Sequence, residues 1–164
     1  MTSDTFEPII RRATAADFDS LGRLGTLLVQ EHYEFDQRRF LEPTPSTAMH
    51  YGKFLTSQVD EPEAVVLVAE HNGAVIGYSY GTIEGYDYMA LRGPAAILQD
   101  LIVDPAYRSR GIGRILLNAM IAALTAQGAP RVVLSTAQKN EAAQRFFERM
   151  GFRRTMIEMT RELP

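Results

Sequence analysis

Between Ala95 and Asn118 the hydrophobic period of the chain switches from that of a strand to that of a helix. Ala95 to Val103 is mostly apolar and is flanked by Gly93-Pro94 and Asp104-Pro105, the punctuation of a buried strand. From Ile112 onward, Ile115, Leu116, Ala119, Met120, Ala123 and Leu124 recur three and four residues apart, which makes one apolar helical stripe. The segment Arg108-Ser109-Arg110-Gly111-Ile112-Gly113-Arg114 joins the two. Its glycines permit a tight turn and leave room for a ligand to approach the backbone. A helix that starts here presents free N–H groups and the positive end of its dipole, which favours an anion. Three arginines add donors suited to phosphate, in a chain whose net charge is -3. A turn that uses glycine for geometry alone fits the loop equally well.

Two phosphate-binding motifs are excluded. A dinucleotide fingerprint needs a third glycine where this chain has Leu116, and a loop set hard against the strand. A P-loop needs Gly-Lys followed by Ser or Thr, and that sequence does not occur. At 164 residues the chain is expected to be one domain, 1–164, with a real core. The absence of cysteine removes disulfides, thiolate catalysis and cysteine-based zinc sites. His32, His50 and His71 lack metal-ligand spacing, so no metal is expected. The acidic balance argues against a general nucleic-acid binder. Without an 18-residue apolar run or a signal-peptide pattern, the expectation is a cytoplasmic protein with no membrane partner.

Residues 1–5 are expected to be loose, and 6–12 to form a first strand. Thr14 with Asp17 reads as a capping box opening a helix to about Tyr33, and Ser46 as the cap of a second helix to about Val59. Residues 63–70 and 75–84 are strands of a hairpin turning at Asn72-Gly73. After the central strand and helix come a strand at 131–136, a helix capped by Asn140, and a last strand at 152–162. The fold class is therefore α/β (α+β): a mixed, mostly antiparallel sheet with helices on both faces, in the order β-α-α-β-β-β-α-β-α-β. Gly77-Tyr78-Ser79-Tyr80-Gly81 matches the Gly-x-Ser-x-Gly elbow of esterases. It falls inside a hairpin strand, however, and no histidine follows it, so a strand serine is the better reading.

These motifs and this order resemble the GNAT superfamily of acyl-CoA N-acyltransferases. The resemblance is specific over 98–152. The family's Arg/Gln-x-x-Gly-x-Gly/Ala loop stands as Arg108-Ser109-Arg110-Gly111-Ile112-Gly113, after the strand end Leu101-Ile102-Val103-Asp104-Pro105. The downstream signature stands as Asn140 to Phe152, with Ala143, Phe146 and Phe147 on its helix. The resemblance implies acetyl-CoA (coenzyme A) as cofactor, its diphosphate on the N–H groups of Arg108 to Arg114. It implies that the pantetheine arm lies along Leu101, Ile102 and Val103, and that a backbone N–H near Val103 serves as oxyanion donor. Asn140 would hydrogen-bond the cofactor, or cap its helix, or both.

The implied reaction is direct attack of a primary amine on the thioester in a ternary complex. Two departures affect it. Phe147 stands where many members carry a tyrosine that protonates the thiolate, and Gln99 stands where spermidine/spermine-type members carry a glutamate. Alternation along a strand places Asp100 opposite to Gln99, as a structural carboxylate or a base. Tyr107, Ser135 and Thr136 are alternative acids. Acceptor specificity is expected from Glu31, His32, Tyr33, Asp36, Tyr86 and Tyr88, where acids beside aromatics suit a small cationic amine or a peptide amino group. A homodimer is left open. The alternative to an enzyme is a non-catalytic acetyl-CoA-binding sensor or interaction module.

Overall fold

The structure is a computed structural model that describes residues 6–164. The expectation for residues 1–5 lies outside the described residues. Strand β1 (Ile9–Arg12) leads through a 3-10 turn into helix α1 (Phe18–Phe35), followed by α2 (Thr47–Ser57). The hairpin β2 (Ala64–His71) and β3 (Ala74–Glu84) comes next, then β4 (Ala95–Val103), α3 (Ile112–Ala126), β5 (Val132–Leu134) and α4 (Glu141–Arg149). The sheet runs in order β1-β2-β3-β4-β5, antiparallel except for the parallel β4–β5 pair.

Local chemistry accounts for the boundaries. Asn72 and Gly73 both take positive φ, as a two-residue hairpin turn requires. The Asp17 carboxylate accepts from the Thr14 N–H at 2.8 Å and from both terminal guanidinium nitrogens of Arg11 at 2.8 Å, so it ties β1 to the start of α1. Ser79 lies in β3 and donates to the Asp100 carbonyl at 3.1 Å, which disposes of the esterase elbow.

The sheet has a core on each face. On one, Leu21, Leu24 and Leu55 of α1 and α2 pack on Val66, Val68, Tyr78 and Ile102. On the other, Leu116, Leu117, Met120 and Leu124 of α3 pack on Val65, Leu67, Ile76 and Leu98. Alternation along β2 and β3 supplies both faces, so these strands read as continuous apolar runs. Among the described residues no helix is long and apolar enough to cross a membrane.

The expected last strand is not formed: Arg153–Pro164 has no ladder partner, and Met156, Ile157 and Met159 are more than four-fifths exposed. The sequence there has β-forming residues, but a strand is stabilised by its neighbours, and β5 is only three residues long. The segment is held instead by ion pairs of Glu158 with Arg39 and of Glu162 with Arg38.

Candidate functional site

The site begins with one extra residue in β4. Tyr80 lies opposite Asp100 and Gly81 lies opposite Leu98, so Gln99 has no partner in β3 and forms a β-bulge. Before the bulge, the Ala96 N–H donates toward β5, to the Arg131 carbonyl at 2.9 Å. After it, the Asp104 N–H donates toward β3, to the Ile76 carbonyl at 2.8 Å. Backbone polarity alternates along a strand, so Leu101 and Val103 direct their N–H and C=O groups away from β3. Strand β5 pairs only with Ala96–Leu98. Beyond Leu98 the two strands part, and a slot opens with the polar edge of Leu101 and Val103 along one side.

The bulge also turns side chains. Gln99 donates to Thr82 Oγ1 at 3.2 Å, and Asp100 Oδ2 accepts from the Tyr51 and Tyr78 hydroxyls at 2.8 Å each. Both side chains therefore face the α1–α2 layer. The expectation that Asp100 faces opposite to Gln99 is overturned, because the extra residue resets the alternation at that point. Burial pushes the Asp100 carboxyl above the usual carboxylate range, and the hydrogen bonds from Tyr78 and Tyr51 only partly offset this. Burial beside this carboxylate likewise raises both phenols, so they remain protonated donors.

At the far end of the slot the chain turns into α3. Gly111, at φ 80°, precedes the helix, and the first intrahelical bond runs from the Ile115 N–H to the Gly111 carbonyl. The N–H groups of Ile112, Gly113 and Arg114 are thus free of the helix ladder. A Cβ on Gly111 would meet nothing within 4 Å, and one on Gly113 only Phe146 and Val103 at 3.8 and 3.9 Å, so open space lies over the loop. The side chains of Ile102 and Ile112 are buried in the two cores; Ile112 can offer a ligand only its backbone, whereas the backbone of Ile102 faces β3 and is not presented to the slot.

The three loop arginines do not all point at that space. Arg110 lies over the rings of Phe6 and Tyr107, at 4.9 and 5.7 Å. Arg108 donates through Nε to the Val103 carbonyl at 3.0 Å and through Nη2 to Glu31 Oε1. Ser109 is exposed at positive φ.

A cavity of about 560 Å³ joins the slot to the α1 side. Of the residues expected to act, Gln99, Asp100 and Leu101 line it, together with Asn140, Ala143, Phe146 and Phe147 of α4 and its cap. Glu31 and His32 line its α1 wall, and Ser135 and Thr136 its β5 end. Tyr33 and Asp36 do not line it. Tyr86 and Tyr88 are exposed, stacked on each other in the β3–β4 loop outside the cavity. Tyr107 is also outside it, packed with Phe6 and His71. Arg39, Phe40, Leu41 and Tyr51 line the cavity without a sequence signal, since only tertiary packing brings the turn after α1 and the middle of α2 to β4. A second cavity of about 500 Å³, at the end of α2, includes Glu61, Glu63 and Glu84 and shares Gln99 with the first.

Asn140 Oδ1 accepts from the Ala143 N–H at 3.1 Å, an N-cap that commits the oxygen and leaves the amide nitrogen to donate. His32 Nδ1 lies 2.8 Å from the Leu28 carbonyl, which can only accept, so Nδ1 is the donor in that bond. Phe147 packs edge-on against Phe146 and Phe152 while lining the cavity, so its ring is both packing and wall.

Comparison with known proteins gives the same outline. The model of the acetyltransferase (GNAT) family matches residues 29–152. An uncharacterized N-acetyltransferase of Mycobacterium bovis is 31% identical over 116 residues, 70% of this chain and 65% of the relative; the chain thus spans about two thirds of the length of that relative. The solved tetramutant of the BH1408 protein of Bacillus halodurans is 26% identical with a TM-score of 0.79, covering 95% of this chain and 99% of that one. An aminoglycoside N-acetyltransferase solved with CoA shares the fold, with a TM-score of 0.73 at 16% identity over 99% of both chains.

Proposed function

The chain belongs to the acetyltransferase (GNAT) family, and from that premise we propose that it transfers an acetyl group from acetyl-CoA to a primary amine, of a small cationic molecule or of a peptide. The observation that carries the reading is the parting of β4 from β5 at the Gln99 bulge, which bares the edge of Leu101 and Val103 between the α3 N-terminus and the cavity.

The residues fit an extended acyl donor. The N–H groups of Ile112 to Arg114 receive the diphosphate, with Arg114 and the Arg108–Arg110 segment around it. Leu101 and Val103 offer an edge with which the amide arm pairs as an added strand. Asn140 donates to the arm from the opposite side, and Ala143, Phe146 and Phe147 pack against it.

The amine attacks the thioester carbonyl from the α1 side. The C–N bond forms, the C–S bond breaks, and the Val103 N–H stabilises the oxygen that gains charge. An ammonium has no lone pair, so a base must first take its proton. Asp100 has the position and a raised pKa for this, directly or through a water. Gln99 cannot act as a base and orients the amine or water by hydrogen bonding. As the amide forms, the nitrogen gives up its remaining extra proton to solvent, and the thiolate takes one from solvent, directly or relayed through the hydroxyl of Ser135 or Thr136, because Phe147 has none to give. Glu31, His32 and Asp100 give the acceptor end its anionic and aromatic character, which favours a cation. A cytoplasmic setting, where acetyl-CoA is at hand, belongs to the same reading.

Thiol release from acetyl-CoA over an amine panel tests the proposal. We expect release only when an amine is present, and faster for cationic than for neutral amines of matched amine pKa. Binding of acetyl-CoA without release on any amine would favour a sensor instead.

A further inference from the structure

Arg108 is occupied twice, and both partners belong to the site. Its Nε donates to the Val103 carbonyl at 3.0 Å, on the edge proposed to pair with the acyl donor. Its Nη2 donates to Glu31, which lines the cavity on the acceptor side. The two residues are 77 positions apart in sequence and join the loop before α3 to the C-terminal part of α1. The Arg108 side chain is 43% exposed and that of Glu31 31%, so the pair sits where a ligand can reach it.

We infer that the Arg108–Glu31 pair is a latch that acyl-CoA opens: the diphosphate draws Arg108 off Val103 and Glu31, and uncovers the Glu31 carboxylate for a cationic acceptor. The inference rests on the proposed acetyl-CoA site. Two features of the pair carry it. A diphosphate competes for a guanidinium on better terms than one partly exposed carboxylate, since it offers more charge and more acceptor oxygens. Removal of Arg108 from the Val103 carbonyl also frees the strand edge that the arm needs. While the latch is closed, Glu31 is neutralised and its end of the cavity is less attractive to an amine. Once it is open, the acceptor meets an unpaired carboxylate beside His32 and Asp100. Donor binding therefore strengthens acceptor binding, and the reciprocal coupling holds by linkage.

The test is a double-mutant cycle on CoA affinity, which needs no knowledge of the acceptor. CoA is titrated by calorimetry into the wild-type chain, Glu31→Gln, Arg108→Gln and the double variant, with melting temperatures recorded for each. Glu31→Gln no longer competes for Arg108 and should bind CoA about two- to fivefold more tightly, the range set by a partly exposed ion pair. In the Arg108→Gln background the same Glu31 exchange should change affinity little. That second arm separates the latch from general charge, because loss of one negative charge acting at long range would tighten binding in both backgrounds. Unchanged or weaker affinity in folded Glu31→Gln, or equal tightening in both backgrounds, would overturn the latch and leave the cofactor site standing. A wild-type chain that does not bind CoA would overturn both.

Discussion

Asp100 is held between opposing influences. Burial raises its carboxyl, the hydroxyls of Tyr78 and Tyr51 lower it, and burial prevails. A native carboxyl above its unfolded value binds its proton more tightly folded than unfolded. Asp100 therefore costs stability at pH values above the unfolded value near ~3.9, and that cost grows as pH rises toward the folded value. Asp100→Asn should melt no lower than wild type at pH 7, because the amide keeps an acceptor for the two phenols and removes the buried charge. Single-turnover acetylation should fall by about 10²–10⁴-fold if Asp100 is the base, and the acidic limb of its pH profile should disappear. Full turnover in that variant would move the base elsewhere, with His32 the next candidate on the cavity wall.

Phe147 gives a second test at the same scale. Its ring lines the cavity while packing on Phe146 and Phe152. Phe147→Tyr should keep acetyl-CoA affinity and raise the single-turnover rate by supplying the missing acid. A lower melting temperature with an unchanged rate would mean that the hydroxyl is left unsatisfied in packing, a loss of about 1–3 kcal/mol.

Among the elements, α1 and α2 position Asp100 through a close approach. A Cβ on Gly25 would stand 2.1 Å from the Tyr51 ring, the same ring whose hydroxyl donates to Asp100. Gly25→Ala should therefore push Tyr51 off the carboxylate and destabilise the chain by roughly 1–3 kcal/mol through overpacking, even though alanine is the better helix former. Thermal melts of Gly25→Ala and of Tyr51→Phe, which loses the hydroxyl and keeps the ring, should both fall, the former further. At the entrance to α1, Asp17 is buried and its carboxyl lies below the usual range because Arg11 hydrogen-bonds to it. A lowered folded value contributes stability that is present above the unfolded value and is lost as pH falls through the folded one. Asp17→Asn should remove roughly 1.5–3 kcal/mol at pH 7, the range for a hydrogen bond to a charged group, and flatten the acid end of the stability curve.

Elements were legible in the sequence where local chemistry decides them. The Asn72-Gly73 turn, the Thr14–Asp17 cap, the Asn140 cap and the change of period after Val103 each announce a boundary within a few residues. The Gln99 bulge was not, because register is a property of two strands, and nothing in Gln99 says which residue of β3 it misses. That one shift turned Asp100 to the same face as Gln99 and so changed the account of the base. The segment 152–162 has strand composition but no partner, which composition cannot reveal.

At the scale of the whole molecule, the proposed cofactor half of the site is nearly contiguous in sequence, from Leu101 to Arg114 and from Asn140 to Phe147, and a linear motif can mark it. The proposed acceptor half is assembled from α1, the turn after it, α2 and the bulge. Of its expected members, Glu31 and His32 line the cavity, while Tyr33, Asp36, Tyr86 and Tyr88 do not. Arg39 and Phe40 line the same cavity without a sequence signal, in a turn that the C-terminal segment grips through Glu158 and Glu162. In the half that the sequence marked, acetyl-CoA is proposed to lie in the slot with its diphosphate on the α3 N-terminus. Gly113→Glu places a carboxylate over those N–H groups where a Cβ meets only ordinary contacts, so the chain should stay folded. Calorimetry of acetyl-CoA against the wild-type chain and Gly113→Glu, with matching thermal melts, is the most direct measurement. The expected result is single-site binding by the wild-type chain and none by the variant at an unchanged melting temperature; equal affinity in the two proteins would contradict it.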